Sequence, residues 1–113
     1  MTGGSRGIGK ATVLALARSG AQVAFTYNNN QAAAAEVLAE AEGAAGRVIS
    51  LQACVQDYAQ AKQVVEQIQE NMGDINALVL NAGITRDGML AMMPEENWDD
   101  VIATNLKGIF NYT

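Results

Sequence analysis

The sequence predicts an α/β fold, a doubly wound parallel sheet of the Rossmann type that is incomplete at its first strand. Three observations predict it. Helix-period and strand-period segments alternate along the whole of the 113 residues, the order of repeated βαβ units. Glycines at 3, 7 and 9 run straight into the apolar stretch Ala11–Ala17, the signature of a tight turn opening a helix. Ala77-Leu78-Val79-Leu80 is continuously apolar, as in a parallel strand buried on both faces. Incompleteness follows from position: such a glycine turn leaves a strand, yet only Met1 and Thr2 precede Gly3.

The elements can be taken in order. The first helix is expected from about Arg6 to Ser19, stopped by Gly20. Gln22 to Tyr27 reads as a strand closed by Asn28-Asn29-Asn30. A second helix follows from about Gln31 to Glu42, with Ala34, Val37, Leu38 and Ala41 on one face and Gly43 and Gly46 at its exit. Val48 to Ala53 is the next strand. The helix from about Asp57 to Met72 carries the stripe Tyr58, Ala61, Val65, Ile68 and Met72 and stops at Gly73. After the strand at Ala77–Leu80, a loop with Asn81-Ala82-Gly83 leads to a last helix from about Pro94, a residue suited to a first turn. Its expected buried stripe is Trp98, Val101, Ile102, Leu106, Ile109 and Phe110. Residues 1–113 read as one unit, a partial dinucleotide-binding domain without repeats or linkers.

Composition narrows the function classes. A net charge of −5, with seven scattered Lys and Arg, argues against a nucleic-acid surface. Cys54 is the only cysteine, which excludes an internal disulfide and suits a reducing, cytoplasmic setting. No apolar run reaches the length of a membrane span. Arg6, Lys10 and the apolar residues after them imitate a signal peptide, but the glycine spacing and the α/β pattern explain the same residues better.

Thr2-Gly3-Gly4-Ser5-Arg6-Gly7-Ile8-Gly9 is the candidate for holding a dinucleotide pyrophosphate. One glycine makes the turn, one admits backbone N–H groups to the phosphates, and one lets the helix pack closely. The helix N-terminus presents free donors to the anion. The loop read structurally is an ordinary strand-to-helix turn, and an S-adenosylmethionine methyltransferase would share it. Two further observations favour NADP(H). The end of the strand, Thr26-Tyr27-Asn28-Asn29-Asn30, lacks the carboxylate that holds a free ribose, and Arg6 sits where a guanidinium can pair with a 2′-phosphate. Asn105 is the one polar member of the last helix's stripe; a buried amide needs partners, from backbone or from a functional group. Several features carry less weight. Tyr58 and Lys62 have a Tyr-x-x-x-Lys spacing, but Tyr58 falls on a core stripe and on the wrong side of the sheet for hydride chemistry. Glu95, Glu96, Asp99 and Asp100 suit a helix start. Met89, Met92 and Met93 read as gap-filling apolar residues, and nothing adjacent activates Cys54.

With Thr2-Gly3-x-x-x-Gly7-Ile8-Gly9, Asn81-Ala82-Gly83 and Thr104-Asn105 in this order, the chain resembles the short-chain dehydrogenase/reductases over essentially its whole length. Gly83-Ile84-Thr85-Arg86-Asp87 and Trp98 look most like the 3-oxoacyl-acyl-carrier-protein reductases, with acetoacetyl-CoA reductases nearly as close. The resemblance implies NADPH-dependent reduction of a 3-ketoacyl thioester to the 3-hydroxy form, in fatty-acid or polyester synthesis. It implies that Gly3, Gly4, Ser5, Arg6, Gly7, Ile8 and Gly9 hold pyrophosphate and 2′-phosphate, and that Asn28 lies beside the adenosine ribose. Cys54 and Val55 would border the adenine, and Asn81, Ala82 and Gly83 the middle of the cofactor. Asn105 would be the one catalytic residue present, organising a water in a proton relay.

Three positions depart from the family pattern. Cys54 stands where Asp or Asn is usual, Leu80 replaces the first Asn of Asn-Asn-Ala-Gly, and Met92 stands where close relatives often carry Arg. Family members continue for another half, holding the catalytic Ser, Tyr and Lys, and assemble as homotetramers through that half. The chain alone is therefore expected to be inactive, marginally stable and prone to aggregate, with sheet edges exposed on both sides of the first-strand position. The rival reading is a non-catalytic nucleotide-binding or interaction fragment.

Overall fold

The computed structural model describes residues 1–113. Two strands, β1 (Val23–Tyr27) and β2 (Val48–Gln52), pair in parallel, with Val23 opposite Val48 and Tyr27 opposite Gln52. The β1 side chains alternate between two faces. Val23 and Phe25 enter one core with Val13 and Leu14 of α1 (Gly7–Arg18) and Ala34 and Val37 of α2 (Gln31–Glu40). On the other face Ala53 packs with Ala61 and Val64 of α3 (Tyr58–Met72) and with Tyr112. A helical rod closes the chain: α4 (Glu95–Ile102), a π turn at Ala103–Lys107, and α5 (Gly108–Tyr112). A short 3-10 turn at Leu90–Met92 precedes it.

Two helix starts are set by their own side chains. Asn30 accepts from the Ala33 N–H at 2.9 Å, and Asp57 accepts from the Gln60 N–H at 3.1 Å. Each satisfies one of the donors that a helix start leaves free. Pro94 also caps rather than starts its helix, with ψ 139 in the extended region.

The structure corrects four expectations. Ala77–Leu80 does not form a strand buried on both faces: only Leu80 bridges to Thr2, and Ala77 and Leu78 are exposed. A strand needs a neighbour to take its backbone groups, and Met1–Thr2 reach only the last residues of this segment. The stripe of the last helix faces solvent, with Trp98 54%, Leu106 63% and Phe110 72% exposed. Instead the rod is seated by its small and polar side. Thr104 Oγ1 accepts from Gln56 Nε2 at 2.7 Å, and Asn111 Nδ2 donates to the Val55 carbonyl at 2.8 Å. Gly108 lies so near Val55 that a Cβ there would come within 3.0 Å of Val55 Cγ2. Periodicity located an apolar stripe but could not tell which face meets the rest of the protein. Tyr58 is 60% exposed rather than in the core, because α3 buries Ala61 and Val64. Met89 and Met92 are exposed and fill no gap.

Candidate functional site

The glycine loop is built by backbone constraints at two positions and by packing at two others. Gly3 (φ 67) and Gly7 (φ 54) take left-handed conformations that cost other residues ~1–2 kcal/mol. At Gly9 a Cβ would collide with the Gly3 carbonyl, so α1 starts directly against the loop. Gly4 is buried, its N–H donates to the Thr26 carbonyl at 3.0 Å, and a Cβ would strike Phe25. Ser5 lies half-buried in the turn, while Arg6 and Ile8 are exposed. Arg6 is extended (φ −153, ψ 167) and its side chain caps nothing. The first bond of α1 runs from the Lys10 N–H to the Arg6 carbonyl at 3.1 Å, so the Gly7, Ile8 and Gly9 N–H groups have no backbone acceptor. Three donors and the positive end of the dipole converge there.

The loop is clasped to Asn81-Ala82-Gly83. Thr2 Oγ1 accepts from the Asn81 and Ala82 N–H groups, both at 3.1 Å. Asn81 Nδ2 donates back to the Thr2 and Gly3 carbonyls at 3.2 and 3.0 Å. Asn105, at the middle of the π turn, holds the next residue along. Its Oδ1 accepts from the Ile84 N–H and its Nδ2 donates to the Ile84 carbonyl, each at 2.9 Å. Both ends of the Asn105 amide are therefore used on backbone. Gly83 lies beside it, where a Cβ would sit 3.4 Å from Asn105 Oδ1.

Between these pieces is an open cleft of about 470 Å³ lined by Arg6, Gly83, Ile84, Thr85, Arg86 and Asn105. Two guanidinium groups and no carboxylate line it, although Arg86 also reaches Asp100 at 3.5 Å. Asn28, Cys54 and Val55 do not line this cleft. They follow the carboxyl ends of β1 and β2, the end of a parallel sheet at which ligands bind. The Asn28 carbonyl accepts from Gln52 Nε2 at 2.9 Å, and the Cys54 N–H donates to Gln60 Oε1 at 2.9 Å. The site thus joins Arg6, Gly83 and Asn105 and leaves the three expected adenine-side residues at its flank. The sequence motifs contain Thr2 and Arg86 but assign them no role, and they do not reveal the π turn. A hydroxyl immediately before Gly3 was the available signal for the first.

The family model described as short chain dehydrogenase matches residues 1–113, and the chain belongs to that family, a family of oxidoreductases. The doubly wound α/β class expected from the sequence is thereby shown. Among its relatives is the 3-oxoacyl-[acyl-carrier-protein] reductase FabG of Thermotoga maritima, 46% identical over 113 residues, covering 100% of this chain and 46% of the relative. FabG of Staphylococcus aureus is 42% identical over 111 residues, 98% of this chain and 45% of the relative. The chain thus spans just under half the length of these curated relatives. A short-chain dehydrogenase/reductase from Serratia marcescens superposes with a TM-score of 0.93 at 36% identity, over 98% of this chain and 45% of that one. A blue fluorescent protein from a metagenomic library, solved in complex with NADPH, gives 0.90 at 37% identity, over 98% of this chain and 46% of that one.

Proposed function

We propose that this chain is the cofactor-binding half of an NADPH-dependent reductase that converts 3-ketoacyl thioesters to 3-hydroxyacyl thioesters. The observation that carries the reading is the convergence of the free Gly7, Ile8 and Gly9 N–H groups with Arg6 beside the Gly83–Asn105 wall. An anion with a second phosphate fits such a site: the amides take the pyrophosphate, and Arg6 takes a 2′-phosphate by a charge-assisted bond. NADPH, when bound, supplies a hydride. Gly3 and Gly9 keep the backbone close enough for that grip, and Thr2 and Asn81 hold Ala82 and Gly83 against it. Asn105 fixes Ile84 and so the far wall, which makes it a positioning residue whose amide keeps one N–H and one lone pair free beside Gly83. Similarity to the FabG proteins supports a thioester on acyl carrier protein, with coenzyme A the alternative carrier.

Binding of NADPH and NADH, followed by cofactor fluorescence, tests the reading without requiring turnover. Arg6→Ala should weaken NADPH about tenfold, as loss of one charge-assisted contact does, and leave NADH nearly unchanged. Equal affinities for the two cofactors before and after substitution would refute the assignment of Arg6. No binding of either would refute the site, and a preference for S-adenosylmethionine would replace the reading with a methyltransferase.

A further inference from the structure

Two arginines line the glycine-loop cleft, and cofactor binding as proposed uses only Arg6. The chain is acidic overall, with seven Lys and Arg against twelve Asp and Glu, yet two of the seven meet in this one cleft. Arg6 belongs to the glycine loop, and Arg86 to the wall two residues past Ile84. Asn105 fixes that wall at Ile84, so the backbone that carries Arg86 is anchored close by.

The Arg86 side chain itself is held lightly. Its Nη1 donates to the Thr85 carbonyl at 3.3 Å, and its Nη2 lies 3.5 Å from Asp100 Oδ2. The second distance is longer than a charge-assisted hydrogen bond of good geometry. The two side chains are 44% and 51% exposed, so water competes for both charges and the pair adds little to stability. Three of the five guanidinium N–H groups remain free. Arg86 is thus a weakly compensated cation in an open cleft that no carboxylate lines.

Charge and shape select what Arg86 would take. A guanidinium fork matches a phosphate, whereas a ketone, a thioester and an acyl chain carry no charge to pair with it. The cofactor's phosphates are already assigned, the pyrophosphate to the Gly7, Ile8 and Gly9 amides and the 2′-phosphate to Arg6. The phosphate left is that of the substrate's pantetheine arm, which acyl carrier protein and coenzyme A share. We propose that Arg86 is a specificity residue for the carrier, which binds the phosphate of the pantetheine arm and lets go of Asp100 as it does so. The substrate's identity rests on the reductase reading, but the contact itself needs no cofactor.

The test titrates the 113-residue chain with 4′-phosphopantetheine, with and without NADPH, and follows the amide NMR signals of Thr85 and Arg86. Pantetheine and inorganic phosphate are the controls. Phosphopantetheine should bind at least about tenfold more tightly than either, and Arg86→Met should abolish that difference. Asp100→Asn, which frees the guanidinium, should strengthen binding. An ion pair that merely held the loop to α4 would make both variants weaker, and that result overturns the proposal. Parity with pantetheine overturns it as well, and parity with inorganic phosphate reduces the site to an unselective anion contact. An equal loss of NADPH affinity in Arg86→Met would give Arg86 to the cofactor instead. Arg86-dependent phosphopantetheine binding without any NADPH binding would uphold the contact and refute the cofactor site alone. With NADPH bound, coenzyme A and holo acyl carrier protein separate the two carriers. The one whose affinity falls about tenfold in Arg86→Met is the carrier recognised, and a fall for neither overturns the proposal.

Discussion

Asn105 grips Ile84 by both sides of its backbone: the side-chain oxygen accepts the Ile84 N–H and the side-chain nitrogen donates to the Ile84 carbonyl, each at 2.9 Å. An amide side chain can complete both bonds at once, whereas the ionised carboxylate of an Asp only accepts. Asn105→Asp should therefore keep one bond and lose the other. Asn105→Ala loses both and should lower unfolding free energy by about 1–3 kcal/mol, read as a denaturant midpoint. It should also weaken NADPH binding, because the wall beside Gly83 is released. An Asn105→Ala variant with wild-type stability and affinity would show that the pair holds nothing in place.

Two glycines of the loop should respond differently to alanine. At Gly9 the added methyl meets the Gly3 carbonyl, which is backbone and cannot step aside. At Gly7 there is open space and only the positive φ of 54 opposes a side chain. Gly7→Ala should cost about 1–2 kcal/mol. Gly9→Ala should cost more and should also abolish cofactor binding by pushing α1 off the loop. Equal midpoints in urea for the two variants would contradict this division.

Tyr112 is buried with a hydroxyl that lies near the Thr26 hydroxyl but makes no hydrogen bond of good geometry with it. Burial raises its pKa above the ordinary 10.0 of a tyrosine, chiefly by desolvating the phenolate. The folded chain then holds its proton to higher pH than the unfolded chain. Stability owed to this difference is whole below pH 10.0 and is lost as pH rises above that value. Tyr112→Phe should flatten the alkaline limb of a stability–pH curve. Since only a poorly formed contact with the Thr26 hydroxyl is lost, it should be near neutral at pH 7. A marked loss of stability would mean that the hydroxyl does have a partner.

Asp57 links a helix start to a strand end. It accepts from both the backbone and the side chain of Gln60, at 3.1 and 3.0 Å, and Gln60 Oε1 in turn receives the Cys54 N–H at 2.9 Å. Asp57→Ala should cost about 1 kcal/mol, in the range for a lost N-cap. It should also accelerate hydrogen exchange at Cys54. Exchange at Cys54 that stayed slow would show that Gln60 is held without Asp57.

What the sequence determined by itself is what a few neighbouring residues can decide. β1, β2 and the first three helices lie within about two residues of their expected bounds, because Asn30 and Asp57 cap within one turn and Gly7 is chosen by backbone angle alone. The family was equally legible, since its motifs are local. The tertiary structure alone decided the rest. Ala77–Leu80 has the composition of a strand but lacks a neighbour along most of its length, and a strand exists only where another backbone takes its hydrogen bonds. The last helix has an apolar stripe, yet Thr104, Gly108 and Asn111 on the other side set its orientation through contacts with residues 55 and 56. The clasp of Thr2 with Asn81 and the grip of Asn105 on Ile84 join residues 79 and 21 positions apart. Such pairings depend on which segments the fold brings face to face, and no local pattern of residues encodes that.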